Sequence, residues 1–333
     1  MVKYRDILAT NSSFFSTHAS SNLTAVFVGA TNGIGLGTLR AFAKHTSGAS
    51  PTIYIVGRSR KSLDSLTQTI AKLNPSAKLI PVEAPDLTLV KDAQSAANQI
   101  AEQAEKIDFL FMSPGYLALH YDESPEGLDR LLTIRYYARI RFLLTLAPLL
   151  RKSENPKVVS VLGAGTEGKL FPEDWQLKNH YSLPNAAGAA SSMMALFLEE
   201  FAKRPENEGI GIVYTFPGLV GGTGLRFEGL PWWAKVLVDW VMAPVMRLFG
   251  YSIDEVGERT LYGATCEKLV AKEKRDDGAA KGSDGAIGSG VYLLHSDSNV
   301  IPGNKMLTQL REQGMGEKVW EHTIEVFGRI EGA

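Results

Sequence analysis

Two kinds of apolar segment alternate along the chain. Short runs rich in β-branched and aromatic residues are typical of buried parallel strands. They are Leu23–Val28, Thr52–Val56, Lys78–Val82, Ile107–Met112, Lys157–Leu162, Ile210–Phe216 and Gly290–Leu294. Longer segments with helical spacing and a polar face lie between them, most clearly Gly33–His45, Lys61–Leu73, Leu89–Glu105, Leu128–Leu150 and Ala186–Lys203. This alternation predicts an α/β fold: a doubly wound parallel sheet of about seven strands with helices on both faces.

One insertion interrupts this alternation. Residues 221–250 contain Trp232, Trp233 and Trp240, three of the five tryptophans of the chain. The segment is too short, and too often broken by charge and proline, to span a membrane. It predicts a helical lid over an apolar substrate or a helix lying on a membrane surface through 230–249. The alternative is a helix packed on the body of the protein.

The rest of the chain indicates one domain, because no shift in composition marks a second. We interpret residues 1–22 as an N-terminal arm and 23–333 as a single domain that includes the insertion. A second interruption, 271–286, is rich in Gly, Lys and Asp and is expected to be a flexible surface loop.

Composition excludes several classes of function. The 35 Lys and Arg residues balance 36 Asp and Glu residues, so the chain lacks the broad basic surface of a nucleic-acid-binding protein. The single cysteine, Cys266, excludes an intramolecular disulfide framework, and the six histidines lack metal-ligand spacing, so no metal is expected. The polar N-terminus has no apolar signal-peptide core, which favours a soluble cytoplasmic protein.

The strongest motif follows the first predicted strand and reads AVFVGATNGIGLGTL, residues 25–39. A glycine-rich turn between an apolar strand and an amphipathic helix is typical of a Rossmann-type dinucleotide site. We expect Gly29 to allow the tight turn, Gly33 to admit a pyrophosphate near the backbone, and Gly35 to let the helix pack closely. The free N–H groups and dipole of the helix start would then face the phosphates. The other loop residues assigned to this site are Thr31, Asn32 and Ile34.

The end of the second strand indicates which nicotinamide cofactor is used. NAD sites place a carboxylate there to bind the ribose 2′-hydroxyl. Here residues 56–61 read VGRSRK, with three cations and no acid. Arg58 and Ser59 suit a 2′-phosphate, so the sequence predicts NADP(H). The alternative is a solvated basic helix start.

The Gly-x-x-x-Gly-x-Gly spacing resembles that of the short-chain dehydrogenase/reductase (SDR) superfamily, and the resemblance extends over nearly the whole chain. It implies further cofactor contacts: Asp86 and Leu87 near the adenine, Ser113 and Gly115 after the fourth strand, and Pro217, Gly218, Val220 and Thr223 beside the nicotinamide.

Two longer segments narrow the resemblance. PEGLDRLLTIRYYARIRFLLTLAPLL and HYSLPNAAGAASSMMALFLEEFA are similar to a group of filamentous-fungal SDR-like proteins, many of which accompany secondary metabolism. Related folds often form dimers or tetramers through the helices in these segments, so the resemblance leaves a homo-oligomer open.

The resemblance weakens at the catalytic centre, where SDR enzymes use Asn, Ser, Tyr and Lys. Tyr181 falls on the catalytic Tyr, but Asn185 stands at the Lys position, Gly163 at the Ser position and Arg135 at the Asn position. A free tyrosine has a pKa near ~10, so it remains a proton donor for reduction at neutral pH. Arg135 is a candidate for the missing cation beside it. The alternative is that Tyr181 packs at a helix start with its hydroxyl bonded locally.

Three functions follow as hypotheses. The first is an NADPH-dependent reductase of a carbonyl or enone on an apolar small-molecule metabolite. The second is a non-redox isomerase, dehydratase or cyclase, because the Ser and Lys equivalents are missing. The third is a binding protein that senses the NADPH/NADP ratio.

Overall fold

The computed structural model describes residues 2–17, 22–223, 227–237, 240, 248 and 250–332. Its strands in chain order are β1 (Thr24–Val28), β2 (Thr52–Gly57), β3 (Lys78–Glu83), β4 (Phe109–Met112), β5 (Leu117–Ala118), β6 (Lys157–Val161), β7 (Gly211–Thr215), β8 (Phe227–Glu228), β9 (Val291–Leu294) and β10 (Val300–Ile301). Eight strands form one sheet in the order β10-β9-β7-β6-β4-β1-β2-β3, and β5 pairs with β8 beside it.

The main sheet confirms the predicted doubly wound α/β fold. Across the sheet, the seven strands from β3 at one edge to β9 all run parallel to their neighbours. These seven are the strands that the sequence predicts. The strand β10 was missed: it pairs antiparallel with β9 and is only two residues long, too short to give a hydrophobic pattern.

Helices cover both faces of the sheet. They are α1 (Tyr4–Thr17), α2 (Gly33–His45), α3 (Arg60–Ala71), α4 (Val90–Gln103), α5 (Arg130–Leu132), α6 (Ala138–Leu150), α7 (Leu183–Lys203), α8 (Trp232–Leu237), α9 (Ile253–Thr265), α10 (Lys305–Glu312) and α11 (Met315–Glu331). A π-helical turn, Thr133–Tyr137, joins α5 to α6.

Alternation along the strands divides the core into two layers. On β1, Val26 and Val28 pack towards α4, α6, α7 and α11, whereas Ala25 and Phe27 pack towards α1, α2, α3 and α9. The second layer is rich in aromatic contacts; the rings of Phe27 and Phe111 stack with centroids 4.8 Å apart.

The stretch predicted as an N-terminal arm forms α1, which packs on α9. Its anchor is the buried Asn11, whose amide nitrogen donates to Glu258 Oε2 at 2.7 Å. Thr265 donates to Asn11 Oδ1 at 2.6 Å. The hydrophobic pattern of the sequence does not predict this docking, because the two residues that bond Asn11 lie about 250 residues further along the chain.

Two glycines let α2 and α9 cross in backbone contact. A Cβ on Gly37 would overlap the carbonyl oxygen of Ile253, and a Cβ on Gly257 would lie 2.7 Å from the backbone nitrogen of Thr38. Any side chain at either position must therefore push the helices apart.

The predicted lid and membrane-surface helix lie partly outside the described residues, since 224–226, 238–239, 241–247 and 249 are not described. Within the described part, Trp232, Trp233 and Trp240 are 80%, 60% and 79% exposed, so these side chains do not pack on the protein body. No helix in the described ranges is long and apolar enough to cross a bilayer. The 271–286 segment contains a 3₁₀ turn, Lys272–Lys274.

Candidate active site

A cavity of about 690 Å³ opens where the parallel strands end. Turns after the carboxyl ends of β1, β2, β3, β4, β6 and β7 contribute to its wall, which is where open α/β sheets bind ligands. The residues that the sequence assigned to the cofactor and that line this cavity are Gly29, Thr31, Asn32, Gly33, Ile34, Arg58, Asp86, Leu87, Ser113, Gly115, Pro217, Gly218, Val220 and Thr223.

The glycine-rich turn has the geometry that a phosphate-binding loop requires. Gly29 and Gly33 have φ of +82° and +58°, in the left-handed region that favours glycine. Asn32 caps α2 by accepting a hydrogen bond from Gly33 N at 2.8 Å. Its amide nitrogen donates to the carbonyl of Thr223 at 3.1 Å, which holds the segment after β7 over the loop.

Two residues assigned to the cofactor lie off the cavity wall. A Cβ on Gly35 would lie 2.6 Å from the carbonyl oxygen of Gly29, so Gly35 allows the close packing of α2 that the motif predicts. Ser59 is the N-cap of α3 and accepts a hydrogen bond from Ser62 N. Its hydroxyl thus satisfies a helix start.

A polar network of Asp86, Thr88 and Arg130 forms another part of the cavity wall. Asp86 accepts hydrogen bonds from Thr88 N and Oγ1 at 2.9 and 2.6 Å. The guanidinium of Arg130 donates to Asp86 at 3.1 Å and to Thr88 at 2.7 Å. Arg58 is exposed at the end of β2 and forms no ion pair with a described carboxylate. It is therefore available to a ligand phosphate.

Tyr181 is half-buried and is not among the residues that line the cavity. Its hydroxyl donates to the carbonyl of Ala118 at 2.9 Å, and its ring meets that of Tyr121 edge to face. Burial raises the pKa of Tyr181; the Asp129 carboxylate raises it further and Arg135 partly opposes the shift. The side chain is thus protonated at neutral pH and is a proton donor rather than a base.

Gly163 and Asn185 stand at the positions of the usual Ser and Lys, and neither replaces the missing group. A Cβ on Gly163 would lie 2.5 Å from Ser191 Oγ and 2.6 Å from Thr166 Oγ1, so neighbouring hydroxyls fill that space. Asn185 lies in the first turn of α7, where its amide donates to the carbonyl of His180 at 2.8 Å. It carries no charge that stabilises a tyrosinate.

Arg135 lies in the π-helical turn and lines the cavity. The sequence missed a second cavity arginine, Arg139, one turn further along. Fully buried, it donates to the carbonyls of Met112, Pro114 and Val161 and to Ser160 Oγ.

The described residues contain no group of three or more His, Cys, Asp or Glu side chains that could hold a metal ion.

The profile of the family described as "short chain dehydrogenase" matches residues 23–226 of the chain. The chain belongs to the short-chain dehydrogenase family. It is 36% identical over 332 residues to an oxidoreductase of Emericella nidulans, covering 97% of each chain. It is 31% identical over 361 residues to Oxidoreductase lepF of Aspergillus flavus, covering 99% of this chain and 98% of that one.

One solved structure shares the fold of this short-chain dehydrogenase at low sequence identity. An uncharacterised protein from Mycobacterium paratuberculosis superposes with a TM-score of 0.60 at 16% identity, covering 92% of this chain and 96% of that one. At this identity the likeness shows the fold alone.

Proposed function

We propose that this short-chain dehydrogenase is an NADPH-dependent reductase of a carbonyl or enone group on a small-molecule metabolite with an apolar body, in secondary metabolism. The observation that carries the proposal is one continuous cavity. It is lined by the glycine turn, by Arg58, which pairs with no described carboxylate, and by Arg135. Membership of an oxidoreductase family supports the same chemistry.

The residues present fit a dinucleotide phosphate. Gly29 and Gly33 line the cavity at the start of α2 and carry no side chain there, so phosphate oxygens could reach the free N–H groups of the helix. Arg58 would hold the 2′-phosphate and the segment from Pro217 would cover the nicotinamide. When bound, the nicotinamide supplies a hydride. Tyr181 would supply the proton, after its hydroxyl leaves the Ala118 carbonyl.

Replacing Arg58 with alanine should remove the preference for NADPH over NADH. A charge-assisted hydrogen bond contributes about 1.5–3 kcal/mol, so we expect NADPH affinity to fall by about 10- to 100-fold while NADH affinity stays constant. Nicotinamide fluorescence titration measures both. Arg60→Ala is the matched control, because the Arg60 guanidinium pairs with Asp64 at 3.0 Å. Equal affinity of the unaltered protein for the two cofactors would contradict the NADPH assignment.

Replacing Tyr181 with phenylalanine should lower kcat by about 100-fold, the lower end of a general-acid contribution, and leave KM nearly unchanged. The substrate is first identified as the compound that accepts the label from deuterated NADPH. Steady-state kinetics with that substrate then measure kcat and KM. Tyr121→Phe is the control: its ring touches Tyr181, but its hydroxyl donates to Glu123. Full turnover by the Tyr181 variant would exclude it as proton donor.

A second candidate is a non-redox isomerase, dehydratase or cyclase. The observations that favour it are the filled space at Gly163 and the local hydrogen bond of Asn185, which leave no usual Ser and Lys beside Tyr181. Catalysis by protein stripped of nucleotide would support this candidate. Tight NADPH binding with no label transfer to any acceptor would instead favour a sensor of the NADPH/NADP ratio.

A further inference from the structure

Arg135 sits where the helix after β5 changes its winding. In the π-helical turn Thr133–Tyr137, the N–H of Ala138 donates to the carbonyl of Thr133, five residues back. Such turns insert one extra residue into a helix and are frequent at functional sites. Arg135 and its neighbour Ile134 both line the cavity.

The Arg135 guanidinium has no ion-pair partner among the described residues. Its Nε and Nη1 atoms are closed off from solvent and form no hydrogen bond with any described residue. Burial lowers the pKa of Arg135, and the nearby Tyr214 and Tyr181 oppose this shift. A buried cation without a partner is strongly unfavourable, so this site is incomplete without an anion.

The acids of the cavity wall do not supply that anion. Asp86 is held by Arg130 and Thr88. Glu228 is exposed on strand β8 and forms no ion pair with a described cation. The cavity wall therefore contains a cation, Arg135, that no described acid of the wall neutralises.

Arg139 increases the positive charge on this side. Its hydrogen bonds all go to uncharged acceptors, the carbonyls of Met112, Pro114 and Val161 and the hydroxyl of Ser160. Both terminal nitrogens of Arg139 are therefore engaged, whereas Arg135 lines the cavity and forms no hydrogen bond with a described residue through Nε or Nη1. Two guanidinium groups one helical turn apart, with no acid between them, favour an anion strongly.

Apolar side chains also form the cavity wall. Leu117, Ile134 and Leu162 line it, and Ile134 precedes Arg135 in the chain. Away from water, the attraction between a guanidinium and a carboxylate is stronger, and its forked geometry fits a carboxylate. The phosphates of a dinucleotide have their own binding groups elsewhere, at the start of α2 and at Arg58.

We propose that Arg135 binds a carboxylate of the substrate, so that the preferred substrates are keto acids with an apolar body. The keto part of this assignment rests on the proposed reductase function; the carboxylate part rests on Arg135 alone.

The test compares 2-oxo acids with aliphatic and aromatic side chains, each paired with its methyl ester. Thermal unfolding is followed for the full chain with and without NADP⁺. Each acid should raise the Tm, and its binding constant should exceed that of its ester by about tenfold or more, as expected for a charge-assisted pair. Arg135→Met should abolish this preference, and Arg135→Lys should retain part of it, because lysine keeps the charge but not the fork.

Arg151→Met is the matched control, because Arg151 is an exposed arginine at the end of α6 and donates to Asn207. It should keep the full preference for acids. NADPH affinity is measured by fluorescence in every variant and should not change in Arg135→Met.

The outcomes separate the two proposals. If no acid stabilises the protein more than its ester, or if Arg135→Met weakens NADPH as much as the acids, the carboxylate site is excluded; the second result would make the cofactor phosphate the anion. If NADPH does not bind but the acid preference is present and depends on Arg135, the reductase proposal fails and the carboxylate site stands.

Discussion

Replacing Arg139 with methionine should lower the free energy of unfolding by about 4 kcal/mol, because three buried carbonyl oxygens lose the donor that they bond. Methionine fills a similar volume but donates no hydrogen bond. The carbonyls of Met112, Pro114 and Val161 would then be buried without their donor. Each unsatisfied group costs about 1–3 kcal/mol. Urea unfolding followed by circular dichroism, with the m-value compared between variants, measures the loss.

Two further variants show how much of this loss of unfolding free energy is specific to the Arg139 hydrogen bonds. Ser160→Ala removes one acceptor of the Arg139 guanidinium and leaves the three carbonyls in place, so its cost should be about 1 kcal/mol. Arg151→Met removes the same charge from the exposed end of α6 and should change stability by less than about 0.5 kcal/mol. A similar loss in all three variants would contradict a specific role for the Arg139 network.

Replacing Gly37 with alanine should cost about 3 kcal/mol, the upper part of the range for overpacking. The new Cβ overlaps the backbone of α9, where Ile253 contributes a rigid carbonyl rather than a flexible side chain. Relief therefore requires a shift of a whole helix. Urea unfolding measures this loss of stability. Gly257→Ala, which adds a Cβ on α9 at the same helix crossing, should give a similar loss.

Gly328→Ala is the control for the intrinsic effect of the substitution. Gly328 lies inside α11, and a Cβ there meets no atom within 4 Å. Alanine is the better helix former, so this variant should gain up to about 1 kcal/mol. If Gly37→Ala were neutral, the two helices would not be in backbone contact in solution.

The sheet was predictable because its strands are buried on both faces. Continuous apolar runs such as the one that forms β1 need no distant information to be recognised. The glycine turn was also predictable from local sequence, because glycine is the residue that favours positive φ, which Gly29 and Gly33 adopt. Local sequence patterns therefore predict the strands and the part of the cavity that is assigned to the cofactor.

The reacting side was less predictable, because its chemistry depends on distant contacts. Tyr181 aligns with a catalytic residue, but its hydroxyl is bonded to Ala118, more than sixty residues away. Arg139 reads as an ordinary polar position on a helix, yet it joins the ends of β4 and β6. No local periodicity indicates that a buried guanidinium lies there.

The docking of α1 has a consequence for synthesis of the chain. The ribosome makes this helix long before α9, and Asn11 cannot form its hydrogen bonds until residues 258 and 265 have been made. An isolated helix of 14 residues is marginal in water, and its apolar Ile7 and Phe15 remain uncovered in the meantime. We therefore expect α1 to be translated before the sheet and to be among the last helices to become protected, with nascent chains lacking α9 depending most on chaperones.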